Sequence, residues 1–125
     1  MKKALIGLAA LVALAAVAWG SWTAFAADGE STTRATCEDR STELSVEPDD
    51  GGLEVSFELQ SKAPGETWQL LVQQGGTTLL EGERLTDEDA ELDVDAPADE
   101  DGSDTFTVTA TPADGTAPCT ATLTR

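Results

Sequence analysis

The chain has 125 residues, of which 24 are Asp or Glu and 7 are Lys or Arg, so its formal net charge is −17. A surface with this charge repels nucleic acid and anionic lipid, which excludes both as partners of the folded part. Solubility in salty or crowded surroundings explains the charge, and a dedicated cationic partner is the alternative. The length fits a single domain.

An uncharged run from Ala4 to Ala27 follows Met1-Lys2-Lys3 and contains Ala24-Phe25-Ala26, a small-x-small exit site. Residues 1–26 are therefore predicted to be a secretory signal peptide. The run is 24 residues long, so a retained apolar leader helix that anchors the chain through residues 4–27 is the alternative. Because the two lysines stay on the cytoplasmic side, both interpretations give the rest of the chain a secreted or extracytoplasmic location.

Cleavage after Ala26 leaves 99 residues with 5 basic and 24 acidic side chains, a net charge of −19. Residues 27–33 are small and polar, and we expect them to form a flexible lead before a domain that spans residues 34–125. Cys37 and Cys119 are the only cysteines, and near the two ends of one exported domain they are expected to form a disulfide. A reactive or metal-binding thiol is the alternative, which the lack of His disfavours.

Alternating apolar and polar residues, separated by turn residues, predict seven strands after the leader. They lie near residues 43, 53, 67, 78, 91, 105 and 119. Arg34–Cys37 is a further short candidate strand. The spacing is typical of a seven-strand antiparallel β-sandwich, so the predicted fold class is all-β.

The inward positions of these strands define the expected core. Its members are Trp68, Phe57, Phe106, Val55, Leu59, Leu70, Val72 and Val108. Trp68 is the only Trp after the leader and alternates with Leu70 and Val72. Its ring is therefore predicted to lie in the core rather than on a ligand-stacking surface.

Gly75-Gly76 predicts a tight turn, and two registers of the hairpin around it stay open. A two-residue loop places Leu79 opposite Val72, whereas a three-residue loop with a Gly bulge places Leu80 there. In both registers Leu71 faces away from the core and has one of these leucines as an apolar neighbour. Leu71 and Leu80 are therefore the candidate partner surface, with coverage by a terminal segment or scattered exposure as alternatives.

Residues 87–104 contain ten acids and neither Lys nor Arg. Carboxylate oxygens are the ligands that calcium prefers, which makes Asp99, Asp101 and Asp104 candidate calcium ligands. The EF-hand spacing is not met, because Pro97 occupies a ligand position and no Glu follows at the required distance. A solvated acidic surface without a cofactor is the favoured interpretation.

The chain contains neither His nor Tyr, so it lacks the usual base of a nucleophilic triad. Lys62, the only Lys after the leader, lies in a Pro-Gly loop where it is expected to be solvated. Paired carboxylates could hydrolyse glycosides, but that chemistry needs a cleft and stacking aromatics, and the aromatic residues here point inward. The chain is therefore predicted not to be an enzyme, and a hydrolase is the third-ranked alternative.

The placement of Trp68 on the third strand and of Gly102-x-Asp104 before the strand at residues 105–111 resembles an immunoglobulin-like domain. With Cys37 and Cys119 included, the pattern is similar to that of small exported Ig-like proteins of actinobacteria.

This resemblance covers roughly residues 34–125 and departs from antibody domains in two ways. Antibody domains join their second and sixth strands by a disulfide, whereas here the first and last segments are joined, and Phe106 stands where a corner Tyr is expected. A fibronectin type III domain remains the alternative. The resemblance implies a non-catalytic binding or structural module with an extracellular or cell-envelope partner, and a calcium-dependent structural domain that uses residues 87–104 is the second hypothesis.

Overall fold

The computed structural model describes residues 29–125, and the expected leader and the start of the expected lead lie outside the described residues. The described residues form eight strands and no helix. The strands are β1 (Ser31–Cys37), β2 (Arg40–Asp49), β3 (Gly52–Gln60), β4 (Thr67–Gln74), β5 (Thr77–Leu85), β6 (Glu91–Ala98), β7 (Thr105–Pro112) and β8 (Cys119–Thr124). Within this part, no helix has the length and apolar character that crossing a membrane requires.

Two antiparallel sheets of four strands each pack face to face. The first sheet has the strand order β1-β2-β3-β6 and the second has the order β5-β4-β7-β8. The all-β antiparallel sandwich predicted from the alternation is thus confirmed, with eight strands instead of seven.

The eighth strand is β1, which pairs with β2 from Ser31–Val46 to Cys37–Arg40. Residues 31–33, which were expected to belong to the flexible lead, are therefore part of a strand. No side chain of β1 is fully buried, and backbone pairing with a single neighbour holds this edge strand. The candidate strand at Arg34–Cys37 is thus present and begins three residues earlier, at Ser31.

Side chains from both sheets fill the space between them. All eight residues of the expected core are at most 2% exposed, and Trp68 is completely buried. Leu44 and Val46 of β2 are also completely buried. They are inward residues of a strand that begins three positions earlier than its alternation indicates.

A disulfide between Cys37 and Cys119 joins β1 to β8, with 5.7 Å between the two Cα atoms. Since β1 is an edge of the first sheet and β8 an edge of the second, the bond closes one side of the sandwich. The predicted disulfide is confirmed.

The turn at Gly75 is packed against the loop between β6 and β7. Gly75 has a φ of +56°, and a Cβ added to it would lie 2.8 Å from the Ser103 Cβ. Its N–H donates to the Thr105 carbonyl at 2.8 Å. Gly75 is thus required both for its left-handed backbone and for this close approach.

Gly75→Ala is expected to lower the free energy of unfolding by about 1–3 kcal/mol, since it adds a backbone penalty and a steric conflict. The neighbouring Gly76 has no left-handed φ, and a Cβ there meets nothing within 4 Å. Gly76→Ala is the matched control and should change the free energy by less than about 0.5 kcal/mol. Urea denaturation followed by Trp68 fluorescence measures both, and equal effects would contradict this explanation.

Candidate functional site

The two outer faces of the sandwich differ in chemistry. On the first sheet, outward residues alternate with buried ones along β2, β3 and β6. Eight of these outward residues are acids, and we call this outer face of the first sheet the acidic face. Its acids are Glu43, Glu47, Asp49, Glu54, Glu58, Glu91, Asp93 and Asp95.

Like charges face each other directly on the acidic face. Glu58 on β3 lies opposite both Glu43 on β2 and Asp93 on β6, an arrangement that destabilises a sheet. Partial burial raises the pKa of Glu58, and the charges of Asp93, Glu91 and Glu43 raise it further. Arg34 on β1 is the basic partner of this region and pairs with Glu43.

The same repulsion acts at the end of the acidic face near the turn between β2 and β3. A side-chain hydrogen bond with Glu30 raises the pKa of Glu47, with smaller contributions from burial and from the charges of Glu30, Glu54 and Asp49. Glu47 also pairs directly with Glu54 across the sheet. Repulsion between like charges thus acts at two places on the acidic face, Glu58 and Glu47.

Glu58→Gln is expected to raise the melting temperature at pH 7. Because the folded-state pKa is raised above 4.5, the ionised carboxylate destabilises the fold above that pKa. This penalty disappears as the pH falls through the raised pKa towards 4.5. The gain from Gln should therefore be largest at neutral pH and vanish near about pH 4, as measured by thermal melts across this range.

Asp114 provides a control, because its pKa is shifted in the opposite direction to that of Glu58. The backbone N–H and the hydroxyl of Thr116 donate to its carboxylate at 2.9 and 2.7 Å. These bonds, followed by the charges of Arg40 and Lys62, lower the pKa of Asp114 below 3.8. The ionised form is thus stabilising above 3.8, so Asp114→Asn should lower the melting temperature at pH 7 and have no effect at pH values below the folded-state pKa. The same sign for both variants would contradict the assignment.

The three candidate calcium ligands lie in the loop between β6 and β7. The Asp101 N–H donates to the Asp99 side chain at 2.9 Å, within the loop itself. In residues 29–125, no group of three or more His, Cys, Asp or Glu residues is arranged so that it could hold a metal ion. Asp99, Asp101 and Asp104 are therefore not brought together as a metal site in this part of the chain.

Gln74 organises this loop and was missed from the sequence. Its side chain is buried, and its Nε2 donates to the carbonyls of Asp99 at 2.6 Å and Ser103 at 3.0 Å. Its Oε1 accepts the Asp99 N–H at 3.2 Å. The available signal was its inward position two residues after Val72, where a polar residue requires partners.

The outer face of the second sheet carries no charge on three of its four strands. We call the outward residues of β4, β7 and β8 the threonine face. They are Thr67, Gln69, Leu71, Gln73, Thr105, Thr107, Thr109, Thr111, Thr120, Thr122 and Thr124. Rows run straight across the three strands, as in Gln73–Thr107–Thr122.

Within the described part of the chain, the polar side chains of the threonine face make few hydrogen bonds to one another or to the rest of the fold. The hydroxyls of Thr105 and Thr124 lie 3.3 Å apart. Apart from this pair, no hydrogen bond within residues 29–125 engages the side chains of the face. Hydroxyl and amide groups of this kind can both donate and accept hydrogen bonds.

Leu71 and Leu80 are not cross-strand neighbours in the structure. Gln74 pairs with Thr77 across a two-residue loop, but a bulge then places Leu80 opposite Val72. Leu79 and Leu80 both pack against the core, whereas Leu71 lies beside Thr109 on the outer face. The hairpin combines the short loop of one register with the bulge of the other, so the residue of β5 opposite Leu71 is Glu81.

Two leucines of the second sheet, Leu71 and Leu85, neither belong to the core cluster nor pack against it. Leu71 is half-buried and is the apolar member of the threonine face. Leu85, at the end of β5, is 64% exposed and was not identified from the sequence.

Arg40 closes the end of the sandwich opposite the Gly75 turn, and its burial was not predicted from the sequence. Its side chain is 4% exposed, its guanidinium carbon lies 4.9 Å from the centre of the Trp68 ring, and its Nε donates to Ser61 Oγ at 3.0 Å. The Glu66 carboxylate accepts hydrogen bonds from the Ser61 hydroxyl and, at 3.2 Å, from Trp68 Nε1. The buried charge is thus held by a cation–π contact and a hydrogen-bonded chain, which is a stabilising arrangement rather than a reactive one.

The Glu38 and Asp114 carboxylates both lie 3.8 Å from the Arg40 guanidinium. These two exposed carboxylates help to balance the positive charge of the buried Arg40 side chain.

No protein-family model and no curated protein matches the chain. The architecture defines its class, which is an all-β, two-sheet antiparallel sandwich compatible with an Ig-like fold.

Proposed function

We propose that the chain is an exported, non-catalytic Ig-like domain that binds an extracellular or cell-envelope partner through its threonine face. The two-sheet sandwich and the resemblance to small exported Ig-like or fibronectin III-type proteins of actinobacteria support the fold-level part. The apolar leader and the disulfide support export, since disulfides persist in oxidising compartments. The absence of His and Tyr from the sequence supports a role without catalysis.

The distribution of charge between the two sheets carries the binding proposal. Thr is common on exposed strand positions because of its β propensity alone. However, β2, β3 and β6 of the same chain use acids at their outward positions, and β4, β7 and β8 use none. Propensity does not explain this difference, whereas a surface that must approach a partner without electrostatic repulsion does.

The chemistry of the face indicates the kind of partner. Rows of hydroxyls and two Gln amides suit a surface rich in hydrogen-bonding groups, and Leu71 offers one apolar contact near the centre. The threonine face has no charged side chain that could form an ion pair with a partner. The partner is therefore expected to carry little charge where it contacts this face.

The variant Thr109→Lys tests the proposal, and Ser45→Lys is its matched control. Both residues are half-buried on inner strands, but Thr109 lies in the threonine face and Ser45 on the acidic face. Binding of the tagged domain to native cell envelopes should fall at least about tenfold for Thr109→Lys and change little for Ser45→Lys. The reverse order, or equal binding, would contradict the proposal.

The same assay tests the calcium alternative. Envelope binding in excess calcium and in excess chelator should be equal. A requirement for calcium would instead favour a site in residues 87–104.

A further inference from the structure

β1 contributes less to the core than any other strand of residues 29–125. None of its side chains belongs to the buried core cluster, and its Cys37 is only partly buried against that cluster. Six of the other strands supply the core cluster, and β5 packs Leu79 and Leu80 against it. β1 is therefore held by its backbone pairing with β2 and by the disulfide to β8.

The site that β1 occupies is the backbone edge of β2. Seven residue pairs join β1 to β2, and nine join β2 to β3 on its other side. Since Leu44 and Val46 anchor β2 in the core, β2 stays in place when β1 leaves. It then presents unpaired N–H and C=O groups, which form an acceptor site for an extended strand.

The charge of β1 matches this site. β1 contains Arg34 and no acid, and Arg34 pairs with Glu43 on β2. Glu58 lies next to Glu43 on β3, so the acceptor site borders the acidic face. In a chain with 24 acids and 7 bases, a second copy offers its β1 as a segment complementary to that face.

The connection between β1 and β2 favours opening. Only Glu38 and Asp39 separate the two strands, and Glu38 has a φ of +58°. A residue with a Cβ is disfavoured in this left-handed conformation. An extended connection relieves the strain, and short strained hinges promote strand exchange between copies.

We propose that β1 is exchangeable, so that β1 of one copy pairs with β2 of a second copy and Cys37 bonds to Cys119 of that copy. The product is a covalent dimer with two intermolecular disulfides in place of two intramolecular ones. This interaction is independent of the threonine face.

The exchange is balanced in electrons and needs only a catalytic low-molecular-weight thiol. Its thiolate attacks the Cys119 sulfur and expels the Cys37 thiolate. After β1 has moved, Cys37 attacks the mixed disulfide on the second copy and expels the small thiol. Each disulfide broken is replaced by one disulfide formed, so no net oxidation or reduction occurs.

Two single-cysteine variants of the domain test the proposal. Residues 29–125 contain the complete core, and Cys37→Ser and Cys119→Ser each leave one thiol. The two variants are mixed in a glutathione redox buffer, and the products are separated by non-reducing electrophoresis and identified by intact mass. The mixed Cys37–Cys119 dimer should exceed its statistical share relative to the two homodimers by about tenfold.

A statistical mixture of dimers, or folded monomers that carry only glutathione, overturns the proposal. Circular dichroism of each variant shows whether it is folded. If either single-cysteine variant is unfolded, the experiment uses the unmodified domain instead, prepared with two distinguishable tags. It is incubated with a catalytic amount of glutathione, and covalent dimers that contain both tags support the exchange, whereas their absence overturns it.

Arg34 tests the charge complementarity. In the Cys119→Ser chain, which donates β1, Arg34→Glu should reduce the mixed dimer to its statistical share, whereas Arg34→Lys should preserve the enrichment. Equal enrichment for both would overturn the role of Arg34.

Discussion

Replacing Trp68 with Ala is expected to lower the free energy of unfolding by about 3–5 kcal/mol, as for other buried aromatic residues. The Trp68 ring is completely buried, so its removal leaves a cavity between the two sheets. It also removes the aromatic face beneath Arg40 and the N–H that donates to Glu66. Since domains of this size are stable by about 5–15 kcal/mol, the variant should be close to unfolding at 37 °C.

Trp68→Phe separates the effect of losing the aromatic ring from the effect of losing the hydrogen bond to Glu66. It keeps an aromatic ring below Arg40 but removes the hydrogen bond to Glu66, so it should cost less than the Ala variant. Urea denaturation followed by circular dichroism measures both, because the variants lose the fluorescent reporter. A loss below about 1 kcal/mol for Trp68→Ala would show that the ring does not support the core.

The second large effect is expected from removal of the disulfide. Cys37 and Cys119 are 82 residues apart in sequence, and the entropy of closing such a loop in the unfolded chain corresponds to about 4–5 kcal/mol. The double variant Cys37→Ala with Cys119→Ala should lose up to this amount. It should nevertheless stay folded, because β2–β8 contain the buried core cluster.

Reduction of the unmodified domain is the matched control and should shift the urea midpoint by a similar amount. Hydrogen exchange should show the largest loss of protection in β1, the strand that the bond holds. Uniform loss of protection across all strands would contradict the view that the core is complete without β1.

Much of this fold can be predicted from residue alternation. The strands with one buried face, such as β3, β7 and β8, alternate without interruption, and the aromatic residues on them lie in the core. β1 has no fully buried side chain, so its second half, Arg34–Cys37, is only a short candidate strand and its first half was assigned to the lead. Its position is set by hydrogen bonds to β2, which no local pattern records.

The register of the Gly75-Gly76 hairpin shows a second limit of prediction from the sequence. The sequence is compatible with either Leu79 or Leu80 opposite Val72. The bulge buries part of both leucines, and this solution depends on a core formed by strands distant in sequence. The bulge is also the reason that Leu71 lies opposite Glu81 rather than opposite a leucine.

Buried polar residues show a third limit. Arg40 bonds to Ser61, and Gln74 bonds to Asp99, at sequence separations of 21 and 25 residues. Neither partner can be identified before the loops at each end of the sandwich are known. Inward alternation identifies such residues as needing partners, but not which partners they have.

One part of the candidate site can be predicted from the sequence and another part cannot. The alternation of Thr on β7 and of acids on β6 is visible in the sequence. That β4, β7 and β8 lie side by side, while β6 joins β3 on the other sheet, is a property of the topology. The separation into an acidic and a threonine face emerges only when the sheet order is known.

The central claim is that the threonine face contacts the partner. The most direct measurement is the mapping of backbone amide signals of the isotope-labelled domain by NMR as solubilised native envelope is added. The claim predicts that amides of β4, β7 and β8 shift or broaden first, with Leu71, Thr109 and Thr120 among the most affected. Changes confined to β2, β3 and β6, or to the acidic loop between β6 and β7, would contradict it.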